Sequence, residues 1–406
     1  MTGGPARSLS GARRTYATAA DGFSGFAAPG FERVAREFGR NITERGDTGA
    51  AVAVYHDGVP VVDLVGGSYR TDSVQLIRSI AKSVVSVLAH VLAHRGVLDF
   101  DRPIAEVWPD FARNGKGDIP IRWVFTHQAG VTALDRTLTV DDILAWEPAA
   151  AAAAEQRPNW EPGTALGYHD LTFGWLTGEI LRRITGRTVG TLVREELAKP
   201  LGLDLWIGLP DEARSRLARI RPAAGLSPEV LRDPRATALR TALADPASFA
   251  FRALMNPDVS EVEHDPVYLR AEVPAANGVA DARSLARLYA AFIGEVDGIR
   301  LLDPEAVDAA RREQAAGTDR VVGYYRRYAT GFMLPDPTRP MAGEDTGCFG
   351  HYGMGGPLAF AEPEHRLAFG YTTVQEQSHA GADPRSRALA EVARDCARGI
   401  LTGSDD

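Results

Sequence analysis

Residues 78–96, RSIAKSVVSVLAHVLAHRG, constrain the fold more than any other stretch. Val84, Val85, Val87, Leu88, Val91 and Leu92 spread over nearly every side of a helix, and a helix apolar all round belongs in the middle of a protein. The spacing predicts that helix, with Gly96 as its stop. Ser79 and Lys82 stand at its mouth, one turn apart and on one face. Lysine is scarce here: Lys82, Lys116 and Lys199 are the only three, and arginine supplies all other positive side-chain charge. Arginine keeps its proton in a protein, whereas a desolvated lysine can lose it. Lys82 is therefore a candidate base.

The segments around this helix divide into three. Residues 31–45 read as a helix, and AAVAVYHDGVPVVDLVGG reads as two strands about an Asp57-Gly58 turn. From 101 to about 315 the pattern is helical and loop-rich. Thr139 stands three residues before Asp142 at capping-box spacing, LTFGWLTGEILRRITG ends at Gly186, and DARSLARLYAAFIGEV spans 281–296. The alanine run 149–154 belongs to a helix or its connector. Past 320 strands return in RYATGFMLP, CFGHYGMGGPLAFAEP and RLAFGYTTVQ, with EPEH as a turn and PRSRALAEVARDCARGIL as a closing helix. At 406 residues the chain exceeds one comfortable core. The expected architecture is an α/β (α+β) fold: a domain assembled from 29–100 and 320–406, with a mainly helical domain, 101–319, inserted. Residues 1–28 are expected to form a loose tail. The cleft between the two domains is the natural place for a site.

Composition excludes several classes. A formal charge of −8 argues against nucleic acid or an anionic membrane as the main partner. Cys348 and Cys396 are the only cysteines, too few for a disulfide framework and not placed for zinc. His90 and His94 stand four apart but lack a third ligand, so no metal is expected. The first thirty residues lack the apolar core of a secretory signal, Arg13 and Arg14 notwithstanding, and no run of about 18 apolar residues could span a bilayer. A cytoplasmic protein is expected.

Ser79 at the first turn of its helix would share in the positive end of the helix dipole, which favours charge developing during attack. A neutral Lys82 could accept the serine proton. Tyr168 follows the Pro162-Gly163 turn, where a loop could hold its phenol near the lysine. His351 is followed by Gly353, Gly355 and Gly356, glycines that let a backbone approach a ligand and present N–H groups to it. His127 and Trp160 are expected to be structural, while Gln128 and Asn277 are candidates to line the cleft.

Together, Ser79-Ile80-Ala81-Lys82, Tyr168-His169-Asp170 and the His351 segment resemble the three ordered motifs of the penicillin-recognising serine enzymes. The chain resembles their class C β-lactamase-like branch, and especially the family VIII carboxylesterases, from about residue 30 to 400. THQAG, WEPGT, KPLGL and AANGVADARSLARLYAA extend the likeness. The resemblance implies an antiparallel sheet flanked by helices, and Ser79 as the acylated nucleophile. It makes Lys82 the nucleophile's partner base and Tyr168 the tyrosine that activates the serine and protonates the leaving group. Backbone N–H groups of Ser79 and Met354 would form the oxyanion hole, with His351, Asp170, Gly353 and Gln128 facing substrate. No cofactor is implied.

Two departures matter. Asp170 replaces the asparagine of Tyr-x-Asn, and a carboxylate there could pair with Lys82, keep it charged and shift the base role to Tyr168. His351 replaces the lysine of Lys-Thr-Gly, removing a cation suited to a β-lactam. The expected function is thus a serine carboxylesterase acting on a small-molecule ester. A biosynthetic transacylase, passing the acyl group to an amine or alcohol, is the alternative. β-Lactamase or peptidase activity and a non-catalytic binder rank below both.

Overall fold

The computed structural model describes residues 14–16, 22–343, 346–379 and 382–402. Its centre is a seven-stranded antiparallel sheet of β1 (Arg14–Tyr16), β2 (Phe23–Ala27), β3 (Gly49–His56), β4 (Val59–Gly67), β10 (Phe349–Tyr352), β11 (Leu358–Glu362) and β12 (Leu367–Thr373), in the order β1-β2-β4-β3-β12-β11-β10. The two ends of the chain meet where Val52 of β3 faces Tyr371 of β12. Every residue of β3 is buried, because alternate side chains enter two different cores. Val52 and Val54 join Phe38, Phe360 and Leu389, while Ala51, Ala53 and Tyr55 face the core around Val84 and Leu288.

Helices α1 (Glu32–Glu44) and α6 (Pro384–Thr402) cover the first face. The second is covered by α5 (Ala282–Ile293) and by α2 (Ile80–His94), which runs beside β10. Every residue of α2 from Ile80 to Leu92 is buried. Each valine or leucine buried this way contributes about 1.5–3 kcal/mol, enough together to hold a buried lysine in place. Helices α3 (Glu147–Glu155) and α4 (Leu171–Thr185) lie in the helical middle of the chain. A three-stranded sheet, in the order β5 (Gln75–Leu76), β7 (Gly278–Ala280), β6 (Leu205–Ile207), ties the approach to α2 to segments far away in sequence.

Local punctuation agrees with the sequence. Thr139 and Asp142 form a reciprocal capping box, Gly186 closes α4 in the left-handed region, and the Asp281 side chain caps α5 by accepting from the Ser284 N–H at 2.7 Å. Three expectations change. The expected tail falls largely outside the described residues, but Phe23–Ala27 is strand β2, buried at both ends and paired with β4. Helix α5, expected in the inserted domain, packs on the central sheet, because Leu285, Ala286 and Tyr289 fit its apolar face. RYATGFMLP is not one strand. β9 (Tyr325–Tyr328) pairs with β8 (Ala315–Thr318) and stops at a turn in which Gly331 has φ +86°. Among the described residues no helix is long and apolar enough to cross a membrane.

Candidate active site

Ser79 is the residue before α2, partly exposed, at the floor of a cavity of about 460 Å³. Its approach is pinned: β5 pairs with β7, and the Ile77 N–H donates to Gly278 O at 2.8 Å. Arg78 then turns the chain into the helix at φ +47°. A non-glycine residue in that region costs about 1–3 kcal/mol, a strain that persists only where surroundings hold it. Here the Arg78 guanidinium donates to Glu263 at 2.7 Å, pairs with Glu376 and reaches Met354 O at 3.2 Å.

Lys82 is 1% exposed and its Nζ has three partners. It donates to Ser79 Oγ at 3.1 Å, Asp170 Oδ1 at 3.0 Å and Ala275 O at 3.1 Å. The same nitrogen lies 4.8 Å from the Tyr168 ring centroid. Burial pulls this ammonium toward neutrality, but the Tyr168 phenol and the Asp170 carboxylate outweigh it and hold its pKa above the ordinary lysine value. The Lys82–Asp170 contact is the one that the charged-lysine reading requires.

Two histidines fix Tyr168 from behind. The His169 N–H donates to His127 Nδ1 at 3.0 Å, and the Gly167 N–H donates to His127 O at 3.0 Å. The His169 ring bridges Gly167 O at 2.9 Å and the Val131 N–H at 3.2 Å. The His127 ring lies 5.0 Å from Tyr168, its backbone at φ +60°. Burial lowers the pKa of both, His169 to about 3, so they act as neutral staples.

The opposite wall is the end of β10. A Cβ on Gly353 would stand 2.8 Å from Ile77 O, so only glycine lets this strand end come so close to the approach to Ser79. The Gly353 N–H is used by Pro357 O at 2.9 Å. The N–H groups of Ser79 and Met354 donate to no acceptor in the chain among the described residues. His351 is 2% exposed; its Nδ1 lies 2.7 Å from Tyr352 O, which can only accept, so the proton is on Nδ1 and Nε2 keeps a lone pair. Burial, with Lys82 nearby, lowers its pKa to about 3. Leu239, Leu243, Leu254 and Val259 supply apolar lining above these groups.

The chain is similar to known proteins over most of its length. The profile of the beta-lactamase family matches residues 34–394. The chain belongs to the beta-lactamase family. Esterase/beta-lactamase LipL of Mycobacterium tuberculosis is 37% identical over 365 residues, 85% of this chain and 81% of LipL. The crystal structure of a family VIII carboxylesterase superposes with a TM-score of 0.81 at 32% identity, covering 92% of this chain and 99% of that one. EstA from Arthrobacter nitroguajacolicus gives a TM-score of 0.83 at 34% identity, over 92% of this chain and 98% of EstA.

The fold is thus the beta-lactamase-like α/β fold the motifs implied, and the protein is an enzyme of the serine-hydrolase or acyl-transferring class. In this beta-lactamase-family enzyme Ser79, Tyr168, Asp170, His351, Gly353 and Met354 all line one cavity, with Lys82 beneath it. Gln128 does not. It accepts from Thr126 Oγ1 at 2.8 Å and reaches toward Gly163 O, bracing the loop behind Tyr168 rather than facing substrate. Asn277 is also structural: its side chain accepts from the Val273 N–H and donates to Tyr268 O and Ala271 O, shaping the turn that offers Ala275 O to Lys82. Trp160 packs against His169 and Phe249. His90 is a core residue stacked on Phe332, its Nε2 at 2.8 Å from Thr330 O. Arg78 was missed. Its position beside Ser79 was the available signal, but nothing local links it to Glu263 and Glu376.

Proposed function

We propose that the protein is a serine carboxylesterase that works through an acyl-enzyme on Ser79. The observation that carries this reading is the single Lys82 ammonium bonded at once to the nucleophile and to Asp170, under an apolar cavity. A lysine held charged is a poor proton acceptor. It is a good counter-ion for the phenolate form of Tyr168, which then acts as base.

As Ser79 Oγ bonds to the ester carbonyl carbon, its proton passes to Tyr168. The carbonyl π pair moves onto oxygen, where the Ser79 and Met354 N–H groups receive it. When the tetrahedral intermediate collapses, the bond to the alcohol oxygen breaks and Tyr168 returns the proton to that oxygen. Water then repeats the sequence on the acyl-enzyme: its proton goes to Tyr168, the acid leaves, and Ser79 regains a proton. Asp170 keeps Lys82 charged throughout. His351 faces substrate as a neutral acceptor. The esterase relatives support a small-molecule ester as substrate.

The test combines turnover and mass. Wild-type enzyme should release acid from p-nitrophenyl butyrate and gain one adduct on Ser79 from a fluorophosphonate, and Ser79→Ala should do neither. Tyr168→Phe should lose about 10²- to 10⁴-fold in kcat with little change in KM. Amide formed from an added amine, in place of acid, would favour the transacylase. No adduct and no turnover would end the esterase reading.

A further inference from the structure

A second arginine lies beneath the loop that carries Met354, and the acyl-transfer scheme gives it no task. Arg385, near the start of α6, is fully buried. Its guanidinium grips Asp383 with two prongs, Nε to Oδ1 at 3.1 Å and Nη2 to Oδ2 at 2.7 Å. Nη1 donates to Gln375 O at 2.8 Å and to Thr373 Oγ1 at 3.3 Å, with Asp47 Oδ1 behind at 3.6 Å. Nη2 also donates to Gly355 O at 3.1 Å. A buried ion pair of this kind adds little net stability, because desolvating the charges offsets their attraction. What it supplies here is a fixed position for that carbonyl.

The loop needs such a fixed point. Three of the four residues 353–356 are glycine, and Gly355 and Gly356 lie at φ +89° and +128°. Glycine backbone has the most conformations open to it, so a run of glycines does not hold its own shape. Two consecutive carbonyls of the loop are held by arginines from distant segments: Met354 O accepts from Arg78 at 3.2 Å and Gly355 O from Arg385. The Gln377 N–H reaches Gly355 O only at 3.4 Å. The loop also rests directly on the ion pair. A Cβ on Gly356 would stand 2.7 Å from Asp383 Oδ2 and 2.8 Å from Arg385 Nη2. Asp383 lines the cavity, whereas Arg385 stands behind it.

We infer that Arg385 is a positioning residue for acyl transfer, fixing Gly355 O so that the loop presents the Met354 N–H to the substrate's carbonyl oxygen. The inference rests on the esterase reading and deepens it by naming what aligns one of its two oxyanion donors. Arg385 acts through the backbone of Met354 and Gly355. A donor displaced by about 1 Å at a reacting centre loses about 10²-fold in rate, which sets the scale of the effect.

Arg385→Gln tests it in the intact enzyme, well below its melting temperature, with p-nitrophenyl butyrate as substrate and n-butylboronic acid as probe. Boron bonded to Ser79 Oγ is tetrahedral and puts an oxygen where the oxyanion forms, so its affinity reads the donors directly. The variant should lose about 10²-fold in kcat with KM near wild type, and its inhibition constant for the boronic acid should rise by a similar factor. Arg385→Lys should melt closer to wild type yet recover little rate, because an ammonium lacks the planar fork that holds Asp383 and Gly355 O together. Gly356→Ala, which lifts the loop off an intact ion pair, should weaken boronic acid binding and kcat together. If Arg385→Gln does not fold, those two variants decide by the same readouts. Wild-type kcat and boronic acid affinity in folded Arg385→Gln, or a fall in kcat that leaves that affinity untouched, would overturn the inference. An active wild type with matching variants sinks only this inference. A wild type that neither turns over ester nor binds the boronic acid sinks the esterase reading itself.

Discussion

Lys82 Nζ lies 3.0 Å from Asp170 Oδ1 and 3.1 Å from Ser79 Oγ, so one buried ammonium spans a carboxylate and the proposed nucleophile. In Asp170→Asn the burial of Lys82 is opposed by the Tyr168 phenol alone, and its pKa falls. The variant should lose about tenfold in kcat/KM near neutrality, the scale of a charge-assisted hydrogen bond. It should also gain a basic limb that sets in at lower pH than in the wild type. Superimposable pH–rate profiles would show that Asp170 does not control the lysine.

Arg78 joins three segments around the proposed oxyanion donors. Arg78→Met leaves the part-buried Glu263 unpaired and frees the Met354 peptide. Breaking a fully buried pair costs about 3–5 kcal/mol and this part-buried one less, while losing alignment of one proposed oxyanion donor costs about 10²-fold in kcat. Both changes should appear, the first in the melting temperature and the second in kcat, measured well below melting and with KM near its wild-type value. Arg78→Lys should recover more stability than rate, because an ammonium lacks the fork that reaches all three partners. A rate that tracks stability through both variants would reduce Arg78 to a structural role.

Gly353→Ala is the sharpest test of the cavity wall. The new Cβ would stand 2.8 Å from Ile77 O, a backbone atom with little freedom to retreat. The end of β10 must move, and a displacement of about 1 Å at a reacting centre costs about 10²-fold. Fluorophosphonate labelling of Ser79 should slow accordingly while the melting temperature changes little. Labelling at the wild-type rate would mean that this wall plays no part in catalysis.

Acid should unfold the protein early. His90, His169 and His351 are buried and stay neutral down to about 4, 3 and 3, and His127 is lowered as well. In the unfolded chain the same groups bind protons below about 6.5. The unfolded state therefore holds more protons between those limits, and stability is lost as pH falls from about 6.5 toward 4. Each such histidine contributes about 1.4 kcal/mol per pH unit. Urea midpoints should drop steeply across that window, and His90→Gln, which keeps a donor for Thr330 O, should flatten the slope by one proton. A midpoint independent of pH there would show that these histidines charge inside the fold.

Much of this was legible because it is local. The apolar surround of α2, the Asp57-Gly58 turn, the Thr139 capping box and the Gly186 stop are each written within a few residues, and all appear in the fold. Lysine scarcity was a partial guide. It marked Lys82 and also Lys116, equally buried, whose ammonium is spent on the carbonyls of Arg113, Ala154 and Gln156. The signal was for a buried ammonium, not for catalysis. Gln128 misled for a similar reason: a loop position beside His127 does not say which way the side chain turns.

The sequence by itself determined the one-turn spacing of Ser79 and Lys82 at the mouth of a buried helix and the Tyr168 motif, since residue type and short spacing suffice for those. It did not determine the charge on Lys82. That depends on burial and on a carboxylate 88 residues further on, quantities that exist only after the chain has packed. The tertiary structure also decided what surrounds Ser79. Arg78, Glu263, Glu376 and Met354 meet only because the small sheet and the edge strand β10 bring distant backbone together. Electrostatic fields act through space, while sequence patterns report neighbours along the chain.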